Sequence, residues 1–137
     1  YFYNKIPFKY LKNMKNNEKN ILLVEDDVNF GAILNDFLKL HSYNVTLAKN
    51  GIEAVEKVME YDFDAVTMDI NMPVMDGYTF LEEIRKNPDY ALTPMIMVST
   101  EADDIDRINA YKAGADLYYI KPVKQEELLF SASILTA

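Results

Sequence analysis

Apolar and polar positions alternate along the chain in two rhythms. Short, mostly apolar runs at Ile21–Val24, Asn44–Ala48, Asp64–Met68, Met95–Val98 and Asp116–Ile120 read as strands. Between them the apolar residues recur at helical spacing. Val28–Leu40 places Phe30, Ile33, Leu34, Phe37 and Leu38 on one face, and Gly51–Tyr61 buries Ile52, Val55, Val58 and Met59. Further helices are predicted over Tyr78–Lys86, from Ala102 to Ala113, and over Lys124–Leu135.

Punctuation supports these limits. Asp27, Asn50 and Asp76 stand where an N-cap belongs, and Thr100 with Asp103 resembles a capping box. Asn87-Pro88-Asp89 ends the third helix, and Gly114 ends the fourth. Five strands alternating with five helices, without internal repeat, predict a doubly wound α/β fold. Its five-stranded parallel sheet is joined by right-handed crossovers, in strand order 2-1-3-4-5.

Composition narrows the class. The chain of 137 residues is one domain's length and half apolar, so it buries a core. No apolar run approaches a membrane span, and no signal-peptide pattern opens the chain. The absence of cysteine excludes disulfides and thiolate metal sites and fits a reducing, cytoplasmic setting. The formal charge of −8 is uneven: residues 1–20 hold five lysines against Glu18, a net +4, so the remainder carries −12. An acidic body argues against nucleic acid as a partner and suits a cation site. Residues 1–19 form a basic, aromatic-bearing arm without periodicity, expected outside the core; residues 20–137 form the domain, and Met14 is an alternative start.

The chemistry gathers at strand ends. Glu25-Asp26-Asp27 follows the first strand, Asp69 the third, and Lys121-Pro122 the fifth. In an open parallel sheet the carboxyl ends of the strands share one edge, where ligands bind. Carboxylates and one ammonium therefore converge there. This is the composition of a Mg²⁺ site with an acceptor carboxylate and a cation for a phosphoryl group.

In order and at matching spacing, Ile21-Leu22-Leu23-Val24-Glu25-Asp26-Asp27, the run Met68–Gly77, Met97-Val98-Ser99-Thr100, Ala113-Gly114-Ala115-Asp116 and Lys121-Pro122 resemble the response-regulator receiver domain. The resemblance spans about residues 20–135. It implies a flavodoxin-like receiver fold and a phosphoryl-accepting role in two-component signalling. By it, Asp69 takes the phosphoryl group from a histidine kinase or phosphotransfer domain. Asp26, Asp69 and the backbone carbonyl of Asn71 hold Mg²⁺, with Glu25 acting through water. Lys121 pairs with the phosphoryl group, and its bond to Pro122 is cis. Ser99 is the hydroxyl switch and Tyr118 the aromatic one, turning inward when Ser99 moves. Output runs through the fourth helix, fifth strand and fifth helix to an unnamed partner protein. Asn71 and Glu101 tune the loss of the phosphoryl group, in a pair that matches chemotaxis-type regulators.

Other residues read differently. Asp27 is an N-cap rather than a ligand. Thr100, where the family commonly has Ala or Gly, either narrows access to Asp69 or caps the next helix. Tyr119 points to the opposite side of the sheet from Tyr118. His41, the sole histidine, ends a helix and lacks the helical bundle that a phosphorelay histidine needs. The competing readings are a Mg²⁺-dependent aspartyl-phosphate phosphohydrolase and a receiver segment of a hybrid histidine kinase. Against the former, Asn71 stands where such enzymes carry a general-acid aspartate.

Overall fold

The short apolar runs become the strands of one parallel sheet, in the order β2-β1-β3-β4-β5. The strands are β1 (Asn20–Val24), β2 (Asn44–Ala48), β3 (Ala65–Asp69), β4 (Met95–Ser99) and β5 (Leu117–Ile120). The helices are α1 (Val28–Leu40), α2 (Gly51–Glu60), α3 (Gly77–Arg85), α4 (Asp104–Ala113) and α5 (Gln125–Leu135). This computed structural model describes residues 19–72 and 75–137. The basic arm expected over residues 1–19 lies, Lys19 apart, outside the described residues. Among the described residues no helix is long and apolar enough to cross a membrane.

Helices cover both faces of the sheet. On one, Val66, Met68, Met95, Met97 and Tyr118 pack with Ala54 and Val58 of α2, Phe80, Leu81 and Ile84 of α3, and Ala110 of α4. On the other, Leu23, Ile96 and Val98 pack with Leu34 of α1 and Leu128 of α5, and half-buried Tyr119 joins them. Tyr118 and Tyr119 thus lie on opposite sides, as strand alternation requires.

Three expected caps form. Asp27 Oδ1 accepts from Phe30 N at 3.0 Å, Asn50 Oδ1 from Glu53 N at 2.9 Å and Asp76 Oδ1 from Thr79 N at 2.9 Å. Each satisfies a main-chain donor that the first helical turn leaves unpaired. The fourth cap does not form. The helix opens later, at Asp104, and Asp103 makes no side-chain capping bond; the Thr100 hydroxyl is engaged elsewhere, as described below.

The buried faces of two helices are narrower than the periodicity implies. In α1 the sheet-facing line is Gly31, Leu34 and Leu38, and Ile33 is 55% exposed. In α2 it is Gly51, Ala54 and Val58, leaving Ile52 and Met59 in solvent. Each exposed residue is one position from the line, about 100° around the helix. Gly51 packs instead against the loop after β3, where a Cβ would lie 2.7 Å from Met75 Cβ, and Val55 adds a half-buried contact beside the line.

Arg85, at the end of α3, fastens the amino-terminal edge of the sheet. Its guanidinium donates to the carbonyls of Tyr90 (2.7 Å), Thr93 (2.7 Å) and Gly114 (2.6 Å) and to Asp116 Oδ2 (3.1 Å). Asp116 Oδ2 also accepts from Met95 N at 2.8 Å. Gly114, with φ of 116°, closes α4 in the left-handed conformation that disfavours a side chain, and a Cβ there would meet Arg85 Nε at 2.9 Å.

Candidate functional site

Strand register brings the charged residues together. Val24 pairs with Met68, Asp69 with Val98, and Ser99 with Ile120. The residues at or just past these pairs, Glu25, Asp26, Asp69, Ser99 and Lys121, therefore share one edge. Lys121 N donates to Ser99 O at 2.8 Å, which continues the ladder past β5. The Lys121–Pro122 peptide is cis. On the far side Gly77 lets α3 begin against the loop that leaves Asp69. Its N–H reaches Ile70 O at 3.2 Å, and a Cβ there would lie 2.8 Å from Ile70 Cα.

Asp69 is buried and held at both oxygens. Oδ1 accepts from Asn71 N at 3.0 Å, and Oδ2 from Lys121 Nζ at 2.7 Å. Lys121 also lies 3.6 Å from Glu25 Oε1, with its ammonium 5.9 Å from the centre of the Phe30 ring. Burial works to lower the Lys121 pKa, but the hydrogen bond and charge of Asp69, with Glu25 behind it, outweigh that and hold it above the usual lysine value. Glu25 is also buried, and its Oε2 accepts from Asp27 N at 3.1 Å. Burial, reinforced by the charge of Asp69, pushes the Glu25 carboxyl up to about 7 against the opposing pull of the Asp27 N–H and Lys121.

Glu25, Asp26 and Asp69 each offer an oxygen, and the three lie within 4.8 Å of one another. Their oxygens are the hard donors that Mg²⁺ selects, and exposed Asp26 leaves one side open for the waters this ion keeps. One ammonium faces three carboxyl groups, so a divalent cation fits the charge as well as the donor set. Asp27 is turned to its cap. His41 lies away from this edge, at the end of α1, where its Nδ1 is 3.0 Å from Phe37 O.

The loop after β4 holds the remaining residues. Ser99 is fully buried and its Oγ donates to Asn71 Oδ1 at 2.9 Å. The same Asn71 oxygen accepts from Thr100 N at 3.1 Å and Thr100 Oγ1 at 3.2 Å. Thr100 therefore neither caps α4 nor stands free at the mouth of the site. Glu101 N donates to Ser99 Oγ at 2.9 Å, and Tyr118 OH donates to Glu101 O at 2.8 Å. Tyr118 is buried, with Arg107 5.8 Å from its ring. The Tyr118 ring thus sits inward, with its hydroxyl on the loop after β4. Register places Tyr118 beside Met97, on the apolar face beneath α4. In the sequence the Asn71 side chain reads as tuning the loss of the phosphoryl group, while its bonds to Ser99 and Thr100 go unread; a threonine where a small residue is common was the one available signal.

Comparison with known proteins gives a consistent set. Residues 21–132 match the response regulator receiver domain family. A probable transcriptional regulator, ycf29, of Porphyra purpurea is 37% identical over 110 residues, covering 80% of this chain and 53% of that protein. The transcriptional regulatory protein ResD of Bacillus subtilis is 31% identical over 119 residues, covering 87% and 48%. The chain thus spans about half the length of these curated relatives. Among solved structures, the chemotaxis response regulator CheY4 of Vibrio cholerae superposes with a TM-score of 0.81 at 30% identity, covering 86% of this chain and 98% of that one. The receiver domain of the sensor histidine kinase PA1611 of Pseudomonas aeruginosa has magnesium coordinated in its active site cleft. It superposes with a TM-score of 0.79 at 34% identity, covering 87% and 98%.

Proposed function

Since the chain belongs to the response regulator receiver domain family, we propose that it is a phosphoryl-accepting switch whose acceptor is Asp69. One observation carries the assignment: Asp69 Oδ2 lies 2.7 Å from the Lys121 ammonium and within ligand reach of Glu25 and Asp26. An Asp69 carboxylate oxygen attacks the phosphorus of a phosphohistidine. The P–N bond breaks as the P–O bond forms, and the imidazole leaves with a proton from water. Lys121 exchanges its bond to Asp69 for one to a phosphoryl oxygen. Asp26, Asp69 and the Asn71 carbonyl would hold Mg²⁺, with Glu25 acting through water. Bound there, the ion supplies positive charge against the phosphoryl oxygens.

The donor is a histidine kinase or phosphotransfer domain charged from ATP, which carries a cytoplasmic location. The modified state is read by a partner on the face of α4, β5 and α5, to which Tyr118 and the Glu101 peptide connect the site. Water removes the phosphoryl group again, so the protein is a reversible switch rather than a turnover enzyme. Its setting is a longer transcriptional regulator, a sensor kinase or a stand-alone regulator, since similar proteins include a transcriptional regulator, a sensor kinase's receiver domain and a chemotaxis regulator matched over 98% of its chain.

The test is incubation with acetyl phosphate and Mg²⁺ followed by intact mass. One phosphoryl group should add to the wild type and none to Asp69→Asn. Equal labelling of the Asn variant would refute the acceptor.

A further inference from the structure

The hydrogen bonds around Ser99 have only one consistent direction. Thr100 N can only donate, so the Asn71 atom 3.1 Å from it is the amide oxygen, and this fixes the orientation of the amide. Ser99 Oγ, 2.9 Å from that oxygen, must then supply the proton between them. Glu101 N also can only donate, so Ser99 Oγ accepts from it at 2.9 Å. A hydroxyl has one proton. In this structure that of Ser99 is committed to Asn71.

We infer that the Asn71 side chain is a latch that holds the switch hydroxyl off, competing with the phosphoryl group for the single proton of Ser99. The inference rests on the proposed role of Asp69 as acceptor. Ser99 can donate to an oxygen on Asp69 only by releasing Asn71. Because Ser99 Oγ also accepts from Glu101 N, any shift of this oxygen toward Asp69 pulls on Glu101, whose carbonyl Tyr118 holds. Thr100 strengthens the latch, since its N–H and hydroxyl fix the Asn71 oxygen over Ser99. Asn71 is thus a positioning residue that acts through Ser99. Its main-chain N–H to Asp69 and its carbonyl are separate from this task. Asn71 is exposed and outside the core, so truncating its side chain removes these three hydrogen bonds without opening a cavity in the apolar core.

The experiment titrates the full chain with beryllofluoride in Mg²⁺, followed by amide NMR of Glu101 and Tyr118. Wild type, Asn71→Ala, Ser99→Ala and the double variant are compared, with acetyl phosphate labelling read by mass in parallel. In Asn71→Ala the unliganded resonances of Glu101 and Tyr118 should move toward their beryllofluoride-bound positions. The titration midpoint should fall by about fivefold, the equivalent of one net hydrogen bond of about 1 kcal/mol. In the Ser99→Ala background, Asn71→Ala should change neither. A midpoint in Asn71→Ala that stays or rises overturns the latch, as does an equal fall in the Ser99→Ala background. If wild type takes up neither beryllofluoride nor phosphoryl mass, the acceptor reading itself fails, and the latch with it.

Discussion

Glu25 gives the site a pH dependence opposite to that of an ordinary paired carboxylate. Its pKa is raised in the fold from 4.5 to about 7, mainly by burial. The folded protein therefore holds a proton on Glu25 that the unfolded chain has lost, and stability falls as pH rises between those values. Below about 4.5 the favourable contribution is complete, and above about 7 it is gone. From about pH 5.5 to about pH 8 this one group costs the metal-free fold on the order of 2 kcal/mol, or roughly 5–10 °C in Tm. Lys121, held above its usual value, does not titrate in this window. Glu25→Gln keeps an amide oxygen to accept the Asp27 N–H while removing the ionisation. The assay is the urea midpoint in chelator across this range for both proteins. The wild-type minus variant difference should decline by about 2 kcal/mol, and Mg²⁺ should recover more stability at the alkaline end, where Glu25 is ionised. Parallel profiles for the two proteins would mean that Glu25 is ionised throughout and that the account of its burial is wrong.

Other outcomes follow from single contacts. Asp69→Asn should melt no lower than wild type in chelator, because its amide oxygen still accepts from Asn71 N while one of three crowded carboxyl groups loses its charge; a clear drop in Tm would make Asp69 a structural residue. Asp27→Ala should cost about 1 kcal/mol in chemical denaturation by removing the α1 cap, Asp27→Asn only a few tenths, and neither should weaken Mg²⁺ measured by calorimetry. Arg85→Met should cost about 2–4 kcal/mol in thermal unfolding, since it leaves three half-buried carbonyls without their donor and Asp116 without its cation; a loss below about 1 kcal/mol would show that water replaces the clamp.

The sheet and its charged edge were legible because each apolar run gives way at once to a polar or charged residue: Glu25, Lys49, Asp69, Ser99 and Lys121. Asp69 and Lys121 are far apart in the chain, yet a parallel sheet leaves them no other meeting place. Legibility failed where three-dimensional detail decides. Ile33 and Met59 satisfy helical periodicity, but they stand one position, about 100°, from the lines Gly31-Leu34-Leu38 and Ala54-Val58 that face the sheet, and so stay exposed. Thr100 and Asp103 have the spacing of a capping box, but the Asn71 oxygen competes for the Thr100 hydroxyl and prevails. The burial of Tyr118 depends on the depth of the apolar face beneath α4, which β propensity does not encode.

The Arg85 clamp has a mechanical consequence for α4. This helix is tied at its carboxyl end, where Gly114 O lies 2.6 Å from the guanidinium, and more lightly near its amino end, where Asp106 O accepts from Tyr78 OH at 2.9 Å. A rod held firmly at its root and by one hydroxyl near its tip cannot slide; once the Tyr78 bond opens it tilts. Ten residues at about 1.5 Å each give a lever of roughly 15 Å. A tilt of about 10° then carries the amino end of α4 through more than ~2 Å while its root stays still. The greatest travel falls at Asp104 and the exposed Ile105, and the least at Ala113. Loosening the root at Arg85 would turn tilt into drift, so the direction of motion at one edge of the sheet is set by a guanidinium at the other.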